Sequence, residues 1–222
     1  MKAFILAAGL GTRLLPFTKN KPKCLLDVGG KPLLTWQINK LRLFGIKDLI
    51  INLFHKGKQI EDLLGDGSEL DMRIKYSYEK ELLGTGGGIA NALDIIGEDP
   101  FLMISGDTWS DFDLSTLSLN KGNMAHLILI ENPKDKPDGD MFLHRGKVNS
   151  KRKGKCLTFS GMALIDPKLF LNVKKSKFEL WEEILLPASD QQLVTGELYS
   201  GTVININSIE DIKKLDAYLR EE

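Results

Sequence analysis

The chain opens with Lys2-Ala3-Phe4-Ile5-Leu6-Ala7-Ala8-Gly9-Leu10-Gly11-Thr12-Arg13. The apolar run at 2–7 is typical of a buried β-strand. The glycines at 9 and 11 let the following backbone approach a phosphate closely and point successive N–H groups at it. Arg13 adds a guanidinium, which can bind phosphate oxygens through two parallel hydrogen bonds. These residues predict a strand that ends in a phosphate-binding turn.

Two familiar nucleotide-binding motifs do not fit this turn. The dinucleotide motif G-x-G-x-x-G needs a third glycine where the chain has Leu14, and it needs a helix directly after the turn. The chain instead continues through Pro16 into a polar run. The Walker motif G-x-x-x-x-G-K-[ST] is absent from the sequence, because Lys31 is followed by Pro32.

Strand and helix patterns alternate along the rest of the chain. Strand-like runs occur at 48–53, 72–78, 101–105, 124–131, 156–165 and 199–206, and helical spacing occurs at 33–44, 60–64, 86–96, 178–188 and 208–219. This alternation predicts an α/β fold with a three-layer, Rossmann-like, mostly parallel sheet. Such sheets bind ligands at the carboxyl ends of their strands, so the loops at 8–23, 78–88 and 106–107 are expected to carry function.

The middle and the end of the chain carry two local signals. Residues 132–155 combine prolines, glycines and many charges, a composition that favours a solvated hairpin or small β insertion over a binding patch. Near the end, Ser208 is followed three residues later by Asp211, which predicts the N-terminal cap of the last helix.

Lysines and a glycine run are candidates for nucleotide binding. Lys19, Lys21 and Lys23 form either an exposed basic loop or one in which a lysine contacts the phosphates bound at the turn. The run at 84–88 reads Gly-Thr-Gly-Gly-Gly, which is either a flexible loop or a bare backbone surface for a base or ribose. Glu79 lies just before it and could accept a hydrogen bond from a base N–H.

Asp107 is a candidate metal ligand. It follows a buried strand at 101–105, where a carboxylate can hold a magnesium ion against phosphate oxygens. An aspartate with a purely structural role in the turn is the alternative.

Composition excludes several classes of protein. The 222 residues include 30 Lys and Arg and 30 Asp and Glu, and this zero net charge argues against nucleic-acid or anionic-membrane partners. The apolar runs are too short to span a membrane. Cys24 and Cys156 are far apart, and the N-terminus has no cleavable signal pattern, which predicts a reducing compartment, the cytoplasm.

The order of these motifs resembles that of the sugar-phosphate nucleotidyltransferases. These enzymes make nucleotide sugars from a nucleoside triphosphate and a sugar 1-phosphate on a Rossmann-like sheet. The resemblance rests on the segments at 6–13, 22–23, 84–87 and 106–107. Further segments at 125–129, 132–133, 139–140, 158–161 and 197–201 are most similar to the branch that uridylylates N-acetylmuramate 1-phosphate in peptidoglycan recycling.

The resemblance implies a single domain over 1–222, with a nucleotide-binding half at 1–122 and a sugar-binding half at 123–222. It implies that the nucleotide is bound by Leu6, Ala8, Gly9, Gly11, Thr12, Arg13, Lys23, Glu79, Gly84 and Thr85, and the sugar by Ser105, Asp140, Ser160 and Gly161. The implied catalytic residues are Arg13, Lys23 and Asp107, with Mg²⁺ held by Asp107 and Asn205.

Two departures from the family pattern keep alternatives open. Asn205 stands where the family usually has an aspartate, so the ligands of the metal carry one negative charge fewer. Ser105 stands where the muramate branch more often has asparagine, which bears on the choice of sugar. The alternatives are a guanylyltransferase acting on a mannose- or heptose-type phosphate and a catalytically weak module that binds nucleotide sugars. The sequence leaves the choice between monomer and dimer open.

Overall fold

The computed structural model describes residues 1–174 and 176–221, except for the side chain of Glu221. The strands are β1 Lys2–Leu6, β2 Asp27–Val28, β3 Lys31–Pro32, β4 Asp48–Leu53, β5 Arg73–Tyr78, β6 Phe101–Ser105, β7 Thr108–Ser110, β8 Ala125–Ile130, β9 Met141–His144, β10 Lys147–Asn149, β11 Lys155–Ile165, β12 Val194–Leu198 and β13 Val203–Asn205. The α-helices are α1 Leu33–Leu43, α2 Gly57–Leu64, α3 Gly84–Ile96, α4 Leu186–Asp190 and α5 Ile209–Glu221.

One nine-stranded sheet runs through the molecule in the order β5-β4-β1-β6-β11-β8-β12-β10-β9. The first four strands in this order pair in parallel, as the sequence predicts. Beyond them only β8 and β12 are parallel, and the other pairs are antiparallel. The prediction of a mostly parallel sheet therefore holds only for the first half. Parallel neighbours need long crossovers, usually helical, whereas the β9–β10 hairpin needs only a tight turn.

The sheet has a hydrophobic core on each face. Along β1, Ala3 and Ile5 point to the face covered by α1 and α2, and Phe4 points to the face covered by α3. All three side chains are fully buried. A third cluster packs beneath α5 and includes Trp109 on β7 and Ile204 on β13. In the sheet, β1 lies between β4 and β6, and helices cover both of its faces.

The late part of the chain differs from its prediction. The expected strand at 199–206 is correct only for Val203–Asn205, which form β13, because β12 ends at Leu198 and a turn separates the two strands. The turn between them is held by Asp111, whose Oδ1 accepts hydrogen bonds from Tyr199 Oη at 2.5 Å and from the Thr202 amide at 2.8 Å. Hydrogen bonds to a distant carboxylate were not visible in the local pattern.

Two further predictions concern helices. The expected helix at 178–188 is present from Trp181 onward, as a π-helical turn, Trp181–Leu185, followed by α4. Pro187 lacks the N–H that would continue the α-helical ladder. The predicted cap of α5 is confirmed, because the Asp211 amide donates to Ser208 Oγ at 3.2 Å and the Ser208 amide donates to Asp211 Oδ2 at 2.8 Å. None of the described helices is long and apolar enough to cross a membrane.

Candidate active site

Loops from both halves of the chain meet at the carboxyl ends of β1 and β6. They enclose an inner cleft of about 240 Å³, which opens beside the first turn of the chain. Its lining includes eight of the predicted site residues, Leu6, Ala8, Gly9, Lys23, Gly84, Thr85, Ser105 and Asp107. The edge of the sheet expected from the strand pattern therefore carries most of the predicted nucleotide-binding residues.

The turn after β1 forms a second opening that adjoins the inner cleft. Gly11, Thr12 and Arg13 line it together with Lys23 and Asp107. Gly11 has φ +67°, a conformation that disfavours a side chain, and its carbonyl accepts a hydrogen bond from Thr18 Oγ1 at 2.8 Å. Thr12 and Arg13 are exposed at the tip of the turn. The turn thus presents a free guanidinium at the mouth of the cleft.

Lys23 is the lysine that the fold directs into the site. Its ammonium donates to Asp107 Oδ2 at 2.6 Å and to Asn207 Oδ1 at 3.1 Å. Lys21, two residues earlier, pairs instead with the exposed Asp27. The neighbouring Cys24 and Leu25 are buried in the core, which turns Lys23 toward the cleft.

Two oxygen atoms therefore converge on one cationic group. They come from Asp107 and Asn207, and carboxylate and amide oxygens are ligands that Mg²⁺ accepts. In the described part of the chain, no group of three or more His, Cys, Asp or Glu side chains could hold a metal ion. Mg²⁺ commonly binds through one or two carboxylates and completes its shell with water and substrate phosphates. The residues present fit that mode of binding.

Asn205, the predicted second ligand, lies two residues before Asn207 on the same segment. It is exposed, and both side chains line a wider outer cleft of about 740 Å³. The amide oxygen that accepts a hydrogen bond from Lys23, however, is that of Asn207. The assignment of Asn205 stays a prediction, and Asn207 is a residue that the sequence reasoning missed.

Cys24 lies beside the site but is chemically inert. Burial, and to a lesser extent the nearby Asp107 carboxylate, raise the pKa of its thiol to about 12. A thiol of that pKa stays protonated at neutral pH, and only a thiolate is strongly nucleophilic.

Glu79 is buried and engaged by the protein itself. Its Oε1 accepts from Asn52 Nδ2 at 2.6 Å and its Oε2 accepts from the Leu83 amide at 3.0 Å. Asn52 in turn accepts from the Ala7 amide at 2.6 Å. Burial raises the pKa of the Glu79 carboxyl, although both hydrogen bonds oppose that shift. This network ties the end of β1 to the loop before α3, and the predicted contact of Glu79 with a base stays untested.

The glycines at the start of α3 serve close packing. The amides of Gly86 and Gly87 both donate to the carbonyl of Phe178 at 3.1 Å. A Cβ on Gly86 would overlap the Phe178 ring, and a Cβ on Gly84 would lie 2.6 Å from the Phe178 carbonyl oxygen. Thr85 is held by Glu179, whose Oε2 accepts from the Thr85 hydroxyl at 2.8 Å. Segment 176–180 therefore covers the N-terminus of α3, and only Gly84 and Thr85 reach the inner cleft.

The predicted sugar-binding residues fall in different places. Ser160 lines the outer cleft together with Arg13, and Ser105 lines the inner cleft. Gly161, with φ +86°, lies where the register of β11 against β8 shifts, a β-bulge. A Cβ there would come within 2.8 Å of Ser105 Oγ. The bulge therefore lies next to Ser160 of the outer cleft and Ser105 of the inner cleft.

Asp140 lines neither the inner nor the outer cleft, and its side chain forms structural contacts instead. Its Oδ2 accepts from the Phe159 amide at 2.9 Å, and its Oδ1 pairs with the Lys136 ammonium. These bonds fasten the loop before β9 to β11. Its predicted contact with the sugar is untested.

Comparisons with known proteins agree with this site. A family model described as nucleotidyl transferase matches residues 2–138. The chain is 39% identical over 228 residues to the N-acetylmuramate alpha-1-phosphate uridylyltransferase of Neisseria meningitidis, covering 98% of this chain and 97% of that protein. It is also 39% identical over 125 residues to the D-glycero-alpha-D-manno-heptose 1-phosphate guanylyltransferase of Campylobacter jejuni, covering 56% of each. The crystal structure of HddC from Yersinia pseudotuberculosis complexed with GMP-PN matches with a TM-score of 0.82 and 26% identity, over 98% of both chains.

Proposed function

Because this chain belongs to the nucleotidyl transferase family and is a sugar-1-phosphate nucleotidyltransferase, we propose that it transfers the uridylyl group of UTP to N-acetylmuramate 1-phosphate and releases pyrophosphate. The observation that carries the choice of substrates is the similarity to the uridylyltransferase of Neisseria meningitidis, which extends over nearly the full length of both chains. The similarity to a guanylyltransferase covers 56% of this chain and makes GTP with a heptose-type phosphate the second candidate.

The reaction we propose is a direct in-line attack. A sugar 1-phosphate has its second pKa near 6 and is largely a dianion at neutral pH, so its oxygen needs no strong general base. The chemistry then depends on positioning the two substrates and on neutralising charge as pyrophosphate departs. The inert thiol of Cys24 is consistent with a mechanism that needs no covalent nucleophile.

Lys23 and Arg13 supply positive charge at two points. The ammonium of Lys23 is fixed by Asp107 and Asn207, so it is already oriented toward the α-phosphate when UTP enters the inner cleft. Arg13 is exposed and lines both the outer cleft and the opening at the turn after β1, where it binds the departing pyrophosphate. Gly9, Gly11 and Thr12 offer backbone groups of the same turn to the triphosphate.

The proposal includes a magnesium site at Asp107, completed by an amide oxygen of Asn205 or Asn207. Bound there, Mg²⁺ would neutralise phosphate charge in the reaction. Both amides line the outer cleft next to Ser160, where we place the sugar with Gly161 and Ser105 around it. The hairpin of β9 and β10 is the small β insertion on this side.

We further propose that the whole chain acts as one catalytic unit in the cytoplasm, in the recycling of peptidoglycan sugars. Two observations support this. The nine-stranded sheet contains strands from both halves, and both cysteines are free thiols, as is usual in a reducing compartment.

A substrate panel tests the proposal. Purified protein with Mg²⁺ is assayed for pyrophosphate release with UTP, GTP, ATP and CTP, each combined with the 1-phosphates of N-acetylmuramate, N-acetylglucosamine, mannose and D-glycero-D-manno-heptose. We expect kcat/KM to be highest for UTP with N-acetylmuramate 1-phosphate, by at least about tenfold, which is about 1.4 kcal/mol of discrimination.

The panel also separates the alternatives. A preference for GTP with the mannose or heptose phosphate would establish the second candidate in place of the first. Tight binding of a nucleotide sugar without Mg²⁺-dependent turnover of any pair would instead indicate a binding module. A Lys23→Ala variant serves as the background control for contaminating activity.

A further inference from the structure

Gln37 is a buried polar residue in the apolar face of α1. Its neighbours on that face, Leu34, Ile38 and Leu41, are fully buried in the core, and Gln37 itself is 6% exposed. Polar side chains are seldom buried at such positions unless hydrogen bonds compensate for their lost hydration.

The side-chain amide of Gln37 reaches across to the turn that carries Asp107. Its Nε2 donates to the carbonyl of Ser105 at 2.8 Å and to the carbonyl of Thr108 at 2.5 Å. These two carbonyls bracket Gly106 and Asp107 in the sequence. A flipped amide would set its oxygen against two carbonyl oxygens, so the contacts themselves fix which way the group points.

The same turn is held from two other directions. The amide of Gly106 donates to the carbonyl of Leu6 at 2.8 Å, and the amide of Ile206 donates to the carbonyl of Asp107 at 2.9 Å. Hydrogen bonds from α1, β1 and the segment after β13 therefore fix this short stretch of backbone. The carboxylate that faces Lys23 is carried on it.

Packing alone does not account for a glutamine here. Gln37 Oε1 and the neighbouring Thr108 Oγ1 are both buried without a hydrogen-bond partner in the part of the chain that the structure describes. An unpaired buried acceptor is unfavourable, and an apolar side chain of similar length would avoid it. The two donated bonds to the turn are what the glutamine supplies in return.

We propose that Gln37 is a positioning residue for catalysis: by bridging the carbonyls of Ser105 and Thr108, it holds the backbone of Asp107 where its carboxylate meets Lys23. It acts through the turn and touches neither substrate nor reacting atom. The inference rests on the reaction of the family and is independent of which base or sugar the enzyme prefers.

The variant Gln37→Met tests this, because methionine fills a similar volume and donates no hydrogen bond. We expect kcat at saturating substrates to fall about 10- to 100-fold, the scale of a misplaced catalytic group, with KM for the nucleotide changed less than about threefold. In the metal-free protein, we expect amide hydrogen exchange at 105–108 to accelerate at least about tenfold. The exchange measurement needs neither substrate nor metal, so it reports on the turn even if the proposed substrates are wrong.

Gln59→Met is the matched control. Gln59 is exposed and its Nε2 also donates to a loop carbonyl, that of Asn20, at 2.8 Å. The control should leave both kcat and exchange at 105–108 unchanged.

Two results would each overturn the proposal: a folded Gln37→Met enzyme with kcat within about twofold of wild type, or unchanged exchange at 105–108. If Gln37 only filled space, its replacement would lower the melting temperature and leave kcat and exchange unchanged. If Gln37→Met does not fold, Gln37→Asn replaces it, since the shorter amide cannot reach both carbonyls. The same losses are expected for it, and normal turnover would refute the proposal equally.

Discussion

Replacing Asn52 by leucine should destabilise the protein more than a typical buried substitution. Leucine has nearly the shape of asparagine, so the change removes hydrogen bonds while keeping volume. The Asn52 side chain is 2% exposed and bridges two groups, the Ala7 amide and the Glu79 carboxylate, each at 2.6 Å. Both groups are themselves buried and would lose that partner.

The size of the effect follows from these two contacts. Leaving a buried amide unpaired costs about 1–3 kcal/mol, and losing a hydrogen bond to a charged group costs about 1.5–3 kcal/mol. Together they predict a loss of roughly 3–5 kcal/mol in the free energy of unfolding. For a chain of this length, each kcal/mol lowers the melting temperature by about 2–4 °C, so a drop of at least about 6 °C is expected.

The loss should also depend on pH. Burial raises the pKa of Glu79 in the folded protein, and the bond from Asn52 counteracts that shift. Without this bond the folded pKa rises further. A carboxyl with a raised folded pKa lowers stability as pH rises from its unfolded value, about 4.3, through the folded value. The deficit of Asn52→Leu should therefore be larger at pH 7.5 than at pH 5.

Urea unfolding followed by circular dichroism at both pH values measures the deficit. The matched control is Asn91→Leu, because Asn91 donates to Ser77 Oγ at 3.0 Å and to the Tyr78 carbonyl at 3.1 Å, with no carboxylate involved. Its deficit should be about 1 kcal/mol and the same at both pH values. A loss below 1 kcal/mol for Asn52→Leu, or one that does not change with pH, would refute the role assigned to this network.

Three other predictions address catalysis, reactivity and helix capping. Lys23→Ala should lower kcat about 10²- to 10³-fold with the fold intact, whereas Lys21→Ala should keep near-normal turnover. Pyrophosphate release measures both variants. Equal effects would contradict the assignment of Lys23 as the catalytic lysine. Because burial raises the pKa of Cys24 to about 12, iodoacetamide at pH 8 should alkylate the partly exposed Cys156 far faster than Cys24. Peptide mass spectrometry measures the labelling of each cysteine. Comparable labelling of the two would be inconsistent with the burial of Cys24. Ser208→Ala should lower the unfolding free energy by about 1 kcal/mol in calorimetry, and an unchanged melting temperature would mean that the cap contributes nothing.

Hydrophobic periodicity was sufficient to predict the parallel part of the sheet and the helices that flank it. Strands such as β4 are continuous apolar runs because both faces of the sheet are buried, and α1 shows regular spacing because only one face is. The second half was harder to predict. Its strand pairings depend on long-range contacts such as those of Asp111 with Tyr199 and Thr202, which no local pattern encodes.

In the site, too, some contacts could be predicted from the sequence and others could not. Lys23 and Asp107 could be predicted to meet because the ends of neighbouring strands share one edge of the sheet. Asn52 and Gln37 were missed, although the signal was present: Asn52 is a polar residue within a buried apolar strand, and Gln37 is a polar residue on the apolar face of α1. Asn207 was missed because the motif pointed to Asn205, whereas Asn207 lies beyond the end of β13 and its contact with Lys23 is long-range.

The cover that segment 176–180 provides over the start of α3 bears on how such enzymes can be recombined. The glycine-rich helix lies in the nucleotide half, but its first amides are satisfied by the Phe178 carbonyl from the sugar half. A chimera that took its sugar half from a relative without an equivalent segment would leave those amides unpaired and the bare glycine surface uncovered. Engineering a new sugar specificity on this scaffold therefore means keeping 176–180 with the nucleotide half and setting the exchange boundaries around it.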